Sequence, residues 1–236
     1  MDFRGRLVAT LRLVAPLFEE EGLMVVGSEV PNLLEAGAAA TLVVSQDVDI
    51  AVPVARHQAV KRRLAGIQGL RRSNDEPSVW TPDSPDLLEV NFLGLDPETR
   101  DSGDTYVLDD TELPLMVFGL LALLRPGGHA SVEEMRVPVP RPAGLIIEKL
   151  ATERSGEKGD RDLLVALGLV LVATDADLDE MEAQYRGLSA SLRHDVRANL
   201  ATLSLLDARP AMPDPRPHRE RVALLRRRLE RLEEQR

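Results

Sequence analysis

Two aspartates separated by a single residue, Asp47 and Asp49, carry the clearest chemical signal in this sequence. They open the apolar run DVDIAV, which predicts a β-strand, and residues two apart on a strand point to one face about 7 Å apart. Two carboxylates on one half-buried face repel each other and resist ionising together. A hard divalent cation relieves this conflict, and Mg²⁺ favours one or two carboxylates completed by substrate phosphates. The pair therefore predicts metal-assisted chemistry on a phosphate.

A glycine-serine pair precedes the two aspartates along the chain. Gly27 and Ser28 close a short apolar run that predicts another strand, and Ser28 lies 19 positions before Asp47. A glycine followed by a small hydroxyl residue lets backbone amides approach a triphosphate closely. Gly-Ser is also a common turn, and Asp-x-Asp occurs on many surface strands. The hypothesis therefore depends on the order of these features along the chain.

The order of strand, Gly27-Ser28, helical segment, Asp47-Val48-Asp49 and apolar strand resembles the signature of the nucleotidyltransferase superfamily, which has the polymerase beta-like fold. The resemblance implies a nucleotidyltransferase-type mixed β-sheet flanked by helices. It also implies a nucleoside triphosphate as substrate, Mg²⁺ or Mn²⁺ as cofactor, and transfer of a nucleoside monophosphate to a hydroxyl acceptor with release of pyrophosphate. Gly27 and Ser28 would then bind the triphosphate, and Asp47 and Asp49 would be catalytic residues that hold the metal.

A third acid is expected on a neighbouring strand, because phosphoryl-transfer sites with two metals usually need one more carboxylate. Residues 87–94, LLEVNFLG, predict that strand, with Glu89 and Asn91 on one face. We predict Glu89 as a metal ligand and as the base that accepts the acceptor's proton. Related sequences often carry an aspartate where Asn91 lies, and an amide there would weaken metal binding, so Glu89 would have to compensate.

The helical second half carries a further set of polar residues. The segment from Val137 to Leu169 resembles abortive-infection-type toxin nucleotidyltransferases and minimal stand-alone members of the superfamily. The matching residues, which the resemblance assigns to nucleotide binding, are Lys149, Arg154, Lys158, Asp160 and Asp162. Lys149 would reach the phosphates as a mobile point charge, Asp160 would cap the next helix, and Asp162 would orient a cation. A purely structural role for the two aspartates stays open.

Apolar periodicity divides the chain near residue 140. Residues 1–140 predict helices and strands of a mixed sheet, with a loop over 72–86 and a hairpin turn at the glycine pair 127–128. Residues 141–236 predict a helical bundle, which makes the fold class α+β. The last helix is rich in arginine, since residues 216–236 hold eight arginines against four glutamates. Two interpretations fit this helix equally well: binding to a large anionic acceptor or a partner chain, and packing on its own bundle.

Composition limits the classes of function. A net charge of −10 and few aromatic residues argue against a general nucleic-acid binder. The absence of cysteine excludes disulfides and thiolate zinc sites. No apolar stretch is long enough to cross a membrane, and no signal peptide is visible, so we expect a soluble, cytoplasmic protein with no membrane partner.

Several alternatives remain open at this stage. Asp-x-Asp also occurs in haloacid dehalogenase-type phosphatases and in metal-dependent glycosyltransferases, but the flanking strands fit both poorly. The serious alternative is a catalytically weakened nucleotidyltransferase-fold module that binds nucleotide or a protein partner without turnover. The acceptor could be a small molecule, an RNA end or a protein side chain. An antitoxin or a second copy of the chain could be the protein partner.

Overall fold

The computed structural model describes residues 2–34, 47–99, 104–152, 156–208 and 214–235. Within these ranges one mixed sheet contains seven strands: β1 Met24–Val26, β2 Asp47–Pro53, β3 Leu70–Arg72, β4 Val79–Pro82, β5 Glu89–Leu95, β6 Tyr106–Leu108 and β7 Leu115–Val117. Two further strands, β8 Gly128–Val132 and β9 Met135–Val139, form a separate hairpin. The described helices are α1 Phe3–Val14, α2 Glu29–Leu34, α3 His57–Leu64, α4 Pro142–Ala151, α5 Gly156–Val172, α6 Asp175–Gly187, α7 Ala190–Leu205 and α8 Arg219–Glu234.

The centre of the sheet is the parallel pair β2 and β5. Strand β1 joins the other edge of β2 in antiparallel orientation, whereas β4 and β7 pair with successive halves of β5. Val48 and Ile50 of β2 are fully buried, and the aspartates that alternate with them are half-buried on the opposite face. The alternation in DVDIAV thus orients both carboxylates to one side, as the period of a strand requires.

Helix α4 occupies the middle of the helical half and packs against α5, α6 and α7. Pro142 starts it, as suits a first helical turn, and nearly every side chain after it is buried. Gly144 lies so close to the carbonyl group of Leu123 that an added Cβ would collide with it. Leu123 belongs to a short 3-10 segment, Gly119–Leu123, that follows β7. The glycine therefore allows the helix and this segment to touch.

The arginine-rich helix α8 packs on its own bundle. Four of its apolar residues are buried, whereas Leu224 is exposed: the buried ones are Val222, Leu225, Leu229 and Leu232. Arg228 forms ion pairs with Asp179 and Glu182 of α6. Arg221 donates hydrogen bonds to the carbonyl oxygens of Val170 and Ala173 at the end of α5. Of the two interpretations of this helix, packing on the bundle describes the structure.

The segment 72–86 is largely loop, as predicted, although β4 lies within it and pairs with β3 and β5. The predicted position of the hairpin turn was wrong. The hairpin turns at Glu133, which has a positive φ of 52°, and not at the glycine pair. Gly128 instead starts β8, where an added Cβ would lie 2.8 Å from the carbonyl oxygen of Val139. This glycine allows close approach of two backbones, a use that a turn signal does not distinguish.

The predicted fold class is confirmed: a mixed sheet flanked by helices precedes a helical bundle. Buried apolar side chains from both halves form one contiguous cluster. The division into 1–140 and 141–236 stays a proposal about folding units. None of the helices in the described ranges is both long and apolar enough to cross a membrane.

Candidate active site

A cleft of about 1190 Å³ lies between the sheet and helices α4, α5 and α7. Most residues singled out from the sequence line it, and they come from five different elements or connections. These residues are Gly27, Ser28, Asp47, Asp49, Glu89, Lys149, Lys158 and Asp162. The structure thus brings together side chains that lie more than a hundred positions apart in the sequence. Whether they act together in catalysis stays a prediction.

Gly27 and Asp49 touch at the floor of the cleft. The antiparallel register of β1 and β2 sets Val26 opposite Asp49, and Gly27 follows directly. Gly27 has a φ of +84°, a conformation that glycine adopts at little cost. An added Cβ would collide with Oδ2 of Asp49. Glycine at this position therefore leaves the room that the carboxylate occupies.

The surroundings of Asp49 disfavour the ionised form of its carboxyl group. Burial, followed by the negative charge of Asp47, raises the pKa of Asp49 from 3.8 to about 6. The positive charge of Lys149 and a hydrogen bond from Asn91 offset this only in part. A divalent cation between the two carboxylates would remove the repulsion. The pair therefore fits Mg²⁺ whose remaining ligands are phosphate oxygens and water.

Strand β5 places Glu89 opposite Asp47, and Asn91 opposite Asp49. The side-chain amide of Asn91 donates a 3.0 Å hydrogen bond to Oδ1 of Asp49, and its own buried Oδ1 has no hydrogen-bond partner. Glu89 is exposed. Among the residues that the structure describes, no three His, Cys, Asp or Glu side chains are grouped to hold a metal ion. Glu89 lies beside the aspartate pair without closing a three-carboxylate centre.

Lys149 is held in place by two carboxylates. Its Nζ lies 3.2 Å from Oε2 of Glu148 and 3.5 Å from Oδ1 of Asp162, and all three residues are buried. Burial acts to lower the pKa of Lys149, but the charges of Glu148 and Asp162 outweigh it, and the pKa is raised. The predicted mobile arm is therefore a fixed ammonium group, and Asp162 does contact it as expected.

The other polar residues predicted from the helical half do not share the buried position of Lys149. Lys158 is exposed at the rim of the cleft. Helix α5 begins at Gly156, so Asp160 lies inside it and does not cap it, contrary to the prediction. Gly159 lies inside the same helix, where a glycine costs about 1 kcal/mol relative to alanine. Asp160 lines a separate cavity of about 90 Å³. Arg154 lies outside the described residues.

Several residues of the cleft were not predicted from the sequence. Glu148 had a visible signal, because the pair Glu148-Lys149 interrupts an otherwise apolar helix. The opposite wall is formed by the start of α7, where Ser189, Ser191 and Asp195 line the cleft. Nothing in the sequence marked these three residues, because only the packing of α7 against α4 brings them to the site.

Similarity to solved structures supports the fold, whereas sequence comparison gives no match. No protein-family model matches the sequence, and no curated protein matches it. An antigenic nucleotidyltransferase-like protein from Paracoccidioides brasiliensis is similar in structure, with a TM-score of 0.53 and 14% identity over 84% of this chain and 88% of that one. The antibiotic-resistance factor ANT(2'')-Ia aligns at a TM-score of 0.43 and 12% identity over 79% of this chain and 95% of that one. The first similarity, together with the sheet described above, establishes that this chain has the nucleotidyltransferase fold.

Proposed function

We propose that the chain is a metal-dependent nucleotidyltransferase that moves a nucleoside monophosphate from a nucleoside triphosphate to a hydroxyl acceptor. The observation that carries this proposal is the contact of Gly27 with Asp49, one of two aspartates on one face of β2 in a large cleft. Burial already disfavours the ionised form of Asp49, and the charge of Asp47 on the same face adds to that cost, which a bound cation would offset. The nucleotidyltransferase fold supports the same conclusion.

In this proposal the phosphates lie between the glycine turn and the helical half. Gly27 leaves its backbone open to the cleft, and Ser28 adds a hydroxyl group beside it. Lys149 supplies a fixed positive charge against the negative charge that develops on the leaving pyrophosphate. Lys158, at the rim, adds a second cation for the outer phosphates. Because the donors are held in place, they need little reorganisation during the reaction.

Asp47 and Asp49 would hold Mg²⁺ or Mn²⁺ together with phosphate oxygens. The metal, when bound, would neutralise phosphate charge and polarise the phosphorus centre. The acceptor oxygen forms the new bond to the α-phosphorus as the bond to the β-phosphate oxygen breaks. Pyrophosphate leaves, and the acceptor's proton passes to Glu89, which lies beside Asp47 across the strand pair. The acceptor is a small molecule, an RNA end or a protein side chain.

A second function has one observation in its favour. Asn91 stands opposite Asp49, where the superfamily often carries an acid, and it donates a hydrogen bond to that carboxylate. An amide contributes neither a negative charge to a metal nor a base. A weakened site would bind a nucleotide, or a protein partner, without turnover.

The test combines transfer and binding in one series. The protein is incubated with each α-labelled nucleoside triphosphate, Mg²⁺ and cell extract, and Mg²⁺-dependent binding is measured separately by titration calorimetry. The variant Asp49→Asn removes one predicted ligand and keeps the size of the side chain. Asp75→Asn is the matched control, because Asp75 is exposed and lies outside the cleft.

We expect wild type and Asp75→Asn to label an acceptor, and Asp49→Asn to lose at least 100-fold in transfer, about 3 kcal/mol of the barrier. Binding that depends on Mg²⁺ and Asp49, with no label transferred, would select the binding module. Equal transfer by wild type and Asp49→Asn would remove the catalytic assignment.

A further inference from the structure

One end of the cleft is apolar and carries an exposed aromatic ring. Phe118 is 39% exposed, and it lines the cleft together with Leu93 and Leu120. Among the described residues that line the cleft, Phe118 is the only aromatic one. The remainder of the lining is dominated by charged and hydroxyl side chains. Ligand pockets combine apolar and aromatic side chains with a few polar groups, and this end of the cleft has that combination.

The sheet orients Phe118 to the same side as the aspartates. Asp49 pairs with Asn91 on β5, and Leu93, two positions further, shares the face of Asn91. Leu93 in turn pairs with Met116 of β7. Phe118 lies two positions after Met116 in extended conformation, with φ −96° and ψ 125°. The period of two therefore carries the same face from Asp49 to Phe118.

The register also gives the separation of the two ends. Strand β7 lies two strands away from β2, about 10 Å across the sheet, and Phe118 is displaced by four residues, about 13 Å, along it. The backbones are thus roughly 16 Å apart, and Asp49 and Phe118 both line the cleft. A nucleotide with its phosphates at the aspartates would extend its base towards the ring.

We propose that Phe118, with Leu93 and Leu120 beside it, is the stacking surface for the heterocyclic base of the nucleotide. This inference rests on the proposed function and adds to it the part of the cleft that selects the base. An aromatic face accepts any base, because every base presents a π-face, and larger rings stack over more area. The site therefore prefers purine to pyrimidine nucleotides and discriminates weakly between the two purines.

The experiment separates the base from the phosphates. Affinities for ATP, CTP and inorganic tripolyphosphate, each with Mg²⁺, are measured by calorimetry on wild type, Phe118→Ala and Phe118→Trp. Tyr106→Ala is the matched control, because Tyr106 is an aromatic residue of similar exposure, 37%, that does not line the cleft. Tripolyphosphate has no base, so its binding also reports whether each variant is folded around the phosphate site.

We expect Phe118→Ala to bind ATP about tenfold more weakly, CTP less affected, and tripolyphosphate as wild type does. Phe118→Trp should retain ATP affinity, and its new indole fluorescence should be quenched by ATP but not by tripolyphosphate. Unchanged ATP affinity in Phe118→Ala would overturn the stacking surface. This holds even if the variant slows transfer, because the ring would then contact the acceptor and not the base. If wild type binds neither ATP nor tripolyphosphate, the proposed function fails first, and the stacking surface fails with it.

Discussion

Replacing Asp49 with asparagine should stabilise the metal-free protein. The carboxyl of Asp49 has a pKa of about 6 in the folded chain, against 3.8 as the ordinary value. A raised pKa means that the folded state resists ionisation, so ionising this carboxyl destabilises the fold increasingly between about pH 4 and pH 6 and fully above pH 6. Asparagine keeps the acceptor for the hydrogen bond from Asn91 and removes the charge. The variant therefore loses an electrostatic cost that wild type carries for its site.

The size of the effect follows from the difference in pKa. One pKa unit corresponds to about 1.36 kcal/mol, so a rise from 3.8 to about 6 gives at most about 3 kcal/mol. The difference between Asp49→Asn and wild type should be near zero at pH 4, grow between about pH 4 and pH 6, and stay constant above. In a chain of this size, at most 3 kcal/mol corresponds to an increase in Tm of up to roughly 10 °C.

The assay is thermal unfolding of wild type and variant from pH 4 to pH 8, with and without Mg²⁺. We expect Mg²⁺ to raise the Tm of wild type and to leave that of Asp49→Asn unchanged, because a ligand stabilises only the state that binds it. The control Asp75→Asn should behave as wild type does, with the same Tm in metal-free buffer and the same increase with Mg²⁺. If Asp49→Asn is less stable than wild type in metal-free buffer at pH 7.5, or if the difference does not vary with pH, the electrostatic account of the aspartate pair is refuted.

Two further substitutions test residues that hold the carboxylates of the site in place. Gly27→Ala should lower the free energy of unfolding in urea by about 1–3 kcal/mol, because the φ of Gly27 is positive and an added Cβ would collide with Asp49. The control Gly187→Ala should not lower it, because a Cβ there meets nothing within 4 Å. Lys149→Met should lose about 3–5 kcal/mol because it leaves buried carboxylates without their cation. Adding Glu148→Gln to Lys149→Met should recover part of that loss, and a double variant no more stable than the single one would contradict the ion-pair argument.

The sequence predicted the parts of the site that depend on local pattern. Alternation in DVDIAV placed both aspartates on one face, and Gly27 ended β1 as expected. The neighbours of these residues depend on register between distant strands, which no local pattern contains. The pairing of Glu89 with Asp47 is one such case.

Helix boundaries and tertiary packing explain the remaining differences. Helix α5 begins at Gly156, since packing outweighs the low helix propensity of its glycines. Asp160, which was predicted to cap this helix, therefore lies in its interior. The contact of Lys149 with Asp162 joins α4 to α5 and required both helices to be placed first. Ser189 and Asp195 reach the cleft only through the packing of α7.

The close contact at Gly144 has a consequence for ligand selection. Helix α4 carries Lys149, and the 3-10 segment directly follows Phe118. Because there is no space for even a methyl group between the helix and the carbonyl group of Leu123, we expect the ammonium and the ring to keep a constant spacing. The cleft should therefore discriminate among ligands by their length, and adaptation to acceptors of different size falls to the wall formed by α7.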